Sequence, residues 1–321
     1  MEHGLAAKKR AQQFIDKYKM LIVMLVMIAA MSVASDAFLT KSNLVNIAKQ
    51  VSINTIIACG MTFVIVSGGF DLSVGSIVGV SSVVSATLAV WNVPIVLALL
   101  GGMIAGAICG LLNGVSVAYL NIPPFIVTLA TQSALRGVAY ILTNGKPIIG
   151  LPEQFLVLGQ GPVGIVPVLV FFMIGVVVIC AVVMNYTKYG RHLYYTGGNK
   201  EAAKFSGIKV NRVITSVYAI SGLLAGMAGV LLASRVNSGQ PQAGLSYEMD
   251  ALAAAVIGGA SLDGGVGTIV GTLIGAIIIG VINNALNFLQ VSSYWQQVAR
   301  GAIIFGAVLL DIWTSKKRNS R

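Results

Sequence analysis

Apolar residues run through this chain in long stretches, and polar residues gather in the short interruptions between them. Runs and breakers together define about ten segments near the ~20-residue length that crosses a hydrocarbon core. They fall near 20–35, 44–66, 72–91, 94–119, 124–143, 163–186, 211–235, 248–262, 267–289 and 294–313. Inside lipid the backbone must satisfy its own hydrogen bonds, so each segment is expected to be helical. The expected fold class is an all-α polytopic membrane protein, with one transmembrane domain over 1–321. It divides into a basic N-terminus (1–19), spans one to six (20–186), a polar loop (187–210), spans seven to ten (211–313) and a basic tail (314–321). Two further polar interruptions, 143–162 and 237–247, are expected to face outward.

Composition agrees with this pattern. The chain is 56% hydrophobic and 10% charged, against roughly a quarter charged in a soluble domain. Its net charge of +11 would suggest nucleic acid if the cations formed one soluble face. They instead cluster between spans: Lys8, Lys9, Arg10, Lys17 and Lys19; then Lys188, Arg191, Lys200, Lys204, Lys209 and Arg212; then Lys316, Lys317, Arg318 and Arg321. Short segments rich in Lys and Arg stay in the cytoplasm, so both ends are expected there and the span number is even. The stretch 20–34 has no convincing small-x-small cleavage site before Asp36, and it reads as an uncleaved first span.

Glycine recurs at small-xxx-small spacing in Gly102, Gly106, Gly110 and Gly114, in Gly222 and Gly226, and in Gly267, Gly271 and Gly275. Such stripes let helix backbones approach closely in lipid. Cys59, Cys109 and Cys180 lie in apolar runs as packing residues, and His3 and His192 sit in basic segments. No disulfide framework and no metal site is expected from them. One internal similarity stands out, the form D-x-x-V-G-[S/T]-I-V-G at 71–79 and again at 263–271.

Catalysis needs convergent titratable groups, and 10 acidic residues with two histidines supply few. The chain is not expected to be an enzyme. The one Gly-Lys pair, Gly145-Lys146, is followed by Pro147, so no P-loop is present. Any ATP and Mg would be bound by a partner chain, leaving no cofactor here. Polar residues inside spans are Asn54, Thr62, Asn113, Thr131, Gln132, Arg136, Asn283, Asn284, Asn287, Gln296, Gln297 and Arg300. Each needs a partner in the bundle or a watery cavity. As a group they suit a neutral polyhydroxy solute. Asp71 follows Ser67-Gly68-Gly69-Phe70, where it can cap a helix or mark a broken helix lining a pathway. In the polar loop, Asn199 can cap a short helix, Glu201 supports its first turn, and Gly207 can end it.

That loop, Gly198-Asn199-Lys200-Glu201-Ala202-Ala203-Lys204-Phe205-Ser206-Gly207-Ile208, resembles the ATPase-coupling loop of the ribose-type sugar ABC permease family. The segment 67–76, with Asp71, Ser73 and Ser76, resembles that family's G-G-I-D-L-S-V-G-S motif, with Phe70 at the aliphatic position. Segments 247–259 and 264–276 and the pair Asn283-Asn284 resemble its C-terminal half, and the motifs are nearest to those of ribose permeases. The resemblance implies a type II ABC importer-like fold in the bacterial inner membrane. It implies a second permease copy, cytosolic ABC ATPase subunits, and a periplasmic or lipid-anchored sugar-binding protein. Gly198, Asn199, Glu201, Ala202, Ala203, Ser206 and Gly207 would dock on the ATPase, and Lys146, Glu153 and Glu248 would meet the binding protein. The pathway would use Asn54, Thr62, Asp71, Ser73, Asn113, Gln132, Arg136, Asn283, Asn284 and Asn287. Membrane lipid is a partner and nucleic acid is not. The motifs leave room for another sugar, a furanosyl signal or branched-chain amino acids. The residues alone also leave a self-sufficient secondary carrier or facilitator open.

Overall fold

The apolar runs are helical, and proline and asparagine set many of their ends. A computed structural model describes residues 22–319 except 23, 34 and 36. The N-terminal cluster from Lys8 to Lys19, with His3, Asp36 and Arg321, lies outside the described residues. The helices are α1 (Met24–Val33), α2 (Lys41–Val66), α3 (Val74–Val90), α4 (Ile95–Tyr119), α5 (Pro124–Thr143), α6 (Glu153–Gln160), α7 (Val168–Tyr186), α8 (Lys188–Gly198), α9 (Lys200–Phe205), α10 (Val210–Val236), α11 (Tyr247–Ile257), α12 (Ile269–Phe288) and α13 (Ser293–Asn319). Between α6 and α7 a small hairpin pairs β1 (Pro162–Val163) with β2 (Val166–Pro167). Pro94, Pro123, Pro152 and Pro167 stand immediately before α4, α5, α6 and α7. A proline tolerates a helix start, where an N–H has no partner, and disrupts the interior. Asn144 and Asn237 close α5 and α10 in the left-handed region, at φ 49° and 55°.

Six helices, α2, α4, α5, α7, α10 and α12, are long and apolar enough to cross a membrane. Of the other expected spans, α1 and α3 are shorter apolar helices, and α11 has only 11 residues. Most of the basic tail continues α13, which stays helical to Asn319. The most apolar windows of α2 and α10 are 89% and 72% buried, whereas those of α4, α5 and α7 are 17–22% buried. The first two therefore form the centre and the others an outer shell with open faces. Glycine stripes set the closest packing. A Cβ added at Gly106 would lie 2.7 Å from the Gly226 Cα, and one at Gly110 would lie 2.9 Å from the Gly222 Cα. The Gly271 and Gly275 stripe does the same for α12, against Gly258 and Ala254 of the α11 end.

Two spans are broken. At ~1.5 Å per residue α11 covers about 16 Å, half of a ~30 Å core. The chain before it corrects the expectation of an outward loop at 237–247. Only its start lies at the rim, where Gly239 forms a bridge with Ile148. From there it descends inside the bundle along α3: Gly239 packs on Ser82 and Ala86, and Gly244 packs on Gly75 and Val78. Polar composition suggested water, but the carbonyls of this segment are satisfied inside the protein instead.

The second break precedes α3, at 67–73. Gly68, Gly197 and Gly264 meet at one end of the bundle, which we call the α8 end, with the Gly264 Cβ position 3.0 Å from the Gly68 Cα. The two similar D-x-x-V-G segments are thereby brought together, one leading into α3 and the other into α12.

Candidate functional site

Three polar networks sit where the broken spans turn back into helix. The first is built on Asp71, which is fully buried. Its carboxylate accepts from the Ser73 backbone N–H (3.0 Å), the Ser73 hydroxyl (2.5 Å) and the Ser221 hydroxyl of α10 (2.9 Å). It thus fixes Ser73, the residue at the cap position of α3, through both its N–H and its hydroxyl. The network continues outward: Asn113 donates to the Ser73 hydroxyl at 2.8 Å, and Thr131 donates to the Asn113 carbonyl oxygen at 2.7 Å. α3, α4, α5 and α10 are joined through these side chains. The Tyr218 hydroxyl donates to the Phe70 carbonyl at 2.9 Å and closes the turn from below.

The second network is built on Arg136 of α5. Its guanidinium donates to the carbonyls of Pro241 (2.5 Å), Ala243 (2.8 Å) and Gly75 (3.1 Å). Pro241 and Ala243 lie in the non-helical descent, whose carbonyls have no helical partner. A charge inside the membrane is costly unless it is paired or wetted, and here the exposed backbone is its partner. Gln132, one turn earlier on α5, donates to the Glu248 carboxylate at 3.2 Å. Glu248 is 6% exposed. It packs against Gly75 with no room for a side chain between them, so it lies inside and not on an outward loop.

The third network joins α11, α12 and α13. Asn283 donates to Asp250 at 3.2 Å, and Arg300 faces the same carboxylate at 3.9 Å. Nearby polar residues pair separately. Asn284 and Asn43 exchange hydrogen bonds at 2.8 and 3.1 Å, and the Thr62 and Thr272 hydroxyls meet at 2.6 Å. Asn54 is buried with its amide nitrogen unpartnered. Asn287 is exposed and accepts from Gln296 at 3.0 Å. Of the ten pathway candidates, the structure brings Asp71, Ser73 and Asn113 into one network and Gln132 and Arg136 into another; the rest are spread along α2 and α12. Ser221, Thr272, Asn43 and Asp250 are partners that sequence reading missed. Asp250 alone carried a signal, as a second acid two residues from Glu248 in an apolar run.

At the α8 end, the loop helix forms as its sequence predicts. The Asn199 side chain accepts from the Ala202 N–H at 2.9 Å, Glu201 lies in the first turn, and Gly207 follows the helix at φ 80°. Ala203 is buried, while Gly198, Glu201, Ala202, Ser206 and Phe205 face out, the last 90% exposed. α8 fixes this unit to the bundle. Its Tyr194 donates to the Gly267 carbonyl at 2.7 Å, and Tyr189 shares a 2.8 Å bond with Ser216. Burial raises the pKa of both phenols, which stay protonated. Gly197 wedges between Val66 and Gly265, touching the lead-ins of α3 and α12 together. At the opposite end Lys146 and Glu153 are exposed. Cys59, Cys109 and Cys180 are free thiols. His192 is exposed, and no cluster of metal-ligating side chains occurs among the described residues.

Residues 43–308 match the family described as branched-chain amino acid transport system / permease component. The chain is 41% identical to the ribose import permease protein of Haemophilus influenzae, over 95% of this chain and 96% of that one. It is 47% identical to the ribose import permease protein of Bacillus subtilis, over 89% of each chain. It is 38% identical to the D-allose transport system permease protein of Escherichia coli, over 94% of each. No solved structure was found to match it. The chain belongs to this family of transport-system permease components, as a multi-pass membrane protein.

Proposed function

We propose that the chain is the membrane-spanning subunit of an ABC importer that carries ribose into the cytoplasm of a bacterium. The observation that carries this is the 41–47% identity to ribose import permeases over about nine-tenths of the chain, against 36–38% for the D-allose and L-arabinose permeases. The spans number ten, counting α3 and α11 with their extended lead-ins, and both ends lie in the cytoplasm of a type II importer-like fold. The cations on and beside α8 and α9 put the α8 end inside. Separate cytosolic subunits bind and hydrolyse ATP with Mg. A periplasmic or lipid-anchored binding protein delivers the sugar at the opposite end, where Lys146 and Glu153 are exposed.

In this reading the ATPase grips α9 through Asn199, Glu201, Ala202, Ser206 and Phe205. Its closure moves α8, and Gly197 passes the movement to the lead-ins of α3 and α12 at once. α3 and α11 begin at the Asp71 and Arg136 networks, so displacement there opens one side of the pathway and shuts the other. The pathway runs between two copies of this chain beside α5, whose Thr131, Gln132 and Arg136 can exchange hydrogen bonds with sugar hydroxyls. The inner-membrane assembly is thus driven by another subunit's ATP, with no ATPase site in this chain.

The test is uptake of labelled ribose by proteoliposomes holding this chain, its ATPase and its binding protein. ATP-dependent uptake competed by ribose, and not by allose, arabinose or leucine, is expected. Uptake by this chain alone without ATP would defeat the reading.

A further inference from the structure

We propose that a basic cavity beside α9 binds the phosphate headgroup of an anionic phospholipid of the phosphatidylglycerol kind, its acyl chains lying along α4 and α5. The inference goes beyond the transport reading and shares with it the placement of the α8 end at the cytoplasmic surface, α5, and the coupling helix α9, whose Glu201 lines the cavity.

The cavity measures about 550 Å³ and opens between the end of α4, the start of α5, α9 and the start of α10. Four cations line it, Lys200, Lys204, Lys209 and Arg212, against one carboxylate, Glu201. All four are solvent-exposed and come from two elements, so their charges converge on one space rather than spreading along a helix. Lysines attract a phosphate as point charges, and an arginine can hold two of its oxygens at once.

Two features favour a lipid over a free anion or a cytosolic protein loop. The inner wall is apolar, formed by Val117, Ile122, Pro123 and Ile214 at the ends of spans. That wall continues onto a surface with no partner among the described residues. Leu111 and Leu112 of α4 are 44% and 62% exposed, and Phe125 and Ile126 of α5 are 56% and 55% exposed. A molecule with an anionic head and two apolar tails covers both parts. Basic pockets between spans at the cytoplasmic leaflet have this chemistry.

The site adjoins α9, so a bound lipid would brace the coupling helix against α4 and α5. The experiment uses the full chain, alone and assembled with its ATPase, in lipid discs mixing phosphatidylglycerol and phosphatidylcholine. Spin-labelled analogues report which lipid sits at the protein. A preference for phosphatidylglycerol is expected in both forms. The pair Lys209→Gln with Arg212→Gln should weaken it by roughly fivefold per cation at low salt, with an unchanged melting temperature. The pair Lys188→Gln with Arg191→Gln, outside the cavity, should keep the preference. Equal loss in both pairs would mean diffuse surface attraction and would overturn the proposal. So would equal binding of the two lipids, displacement by millimolar inorganic phosphate, or loss of the preference once the ATPase is docked.

Discussion

Arg136 shows how one residue makes a broken span tolerable in lipid. The carbonyls of Pro241 and Ala243 have no helical donor, and the guanidinium supplies one to each, with a third bond to Gly75. An unsatisfied buried polar group costs about 1–3 kcal/mol. Arg136→Met should therefore destabilise the fold by several kcal/mol, and Arg136→Lys by less, since one ammonium still reaches some of the carbonyls. Thermal unfolding in detergent checks this, and an unchanged melting point for Arg136→Met would remove its role as a strut. The sequence marked Arg136 as a costly charge but named no partner, because its partners are backbone atoms 61 to 107 residues away. Asp71 was more legible as a residue of the turn before α3, though the cap position proved to be Ser73, which its carboxylate binds locally. Its bond to Ser221 was not. Glu248 was misplaced for the same reason: its position follows from the descent of 237–246, which nothing in its own neighbourhood encodes.

Among elements, the apolar runs were readable because lipid permits little except helix. The breaks before α3 and α11 were less so, since Gly-rich and polar stretches look alike whether they leave the membrane or are buried in it. Packing between elements was legible as spacing: the stripe on α4 meets the one on α10. Gly106→Ala places a methyl group 2.7 Å from the Gly226 Cα, and overpacking of this kind costs about 1–3 kcal/mol. Its folded yield and melting temperature should fall, whereas Gly137→Ala, with nothing within 4 Å of the new Cβ, should melt as the parent does. The coupling helix calls for a functional readout. Asn199→Ala removes a cap worth about 1 kcal/mol and should reduce ATP-driven uptake in part. Gly207→Pro cannot adopt φ 80° and loses the N–H that donates to the Lys204 carbonyl. It should leave an inserted, folded permease that no longer links hydrolysis to uptake. Normal uptake by Gly207→Pro would show that α9 does not transmit the stroke.

At the scale of the molecule, the described fold is a buried pair, α2 and α10, ringed by helices whose outer faces are open. α13 is one of these outer helices, tied to its neighbours by Gln296 on Asn287 of α12 and by Arg300 on Asp250 of α11, itself held by Asn283. The pair is imperfect, since the charges stand 3.9 Å apart and the Arg300 Nε has no hydrogen-bond partner. Removing one member of a largely buried pair leaves the other charge uncompensated, which costs about 3–5 kcal/mol, whereas replacing both is often neutral. Arg300 is 25% exposed against 7% for Asp250, so water partly screens the pair and the single losses should fall below that range. Asp250→Asn and Arg300→Met should each lower the melting temperature, and the double variant should recover most of the loss. A double variant no better than the sum of the singles would mean that the two charges do not interact. Uptake then separates anchoring from transport. If the double variant regains uptake along with stability, the pair serves to hold α13 in place. If it regains stability alone, the charges at the start of α11 act in the transport cycle itself, beside the second of the two broken spans.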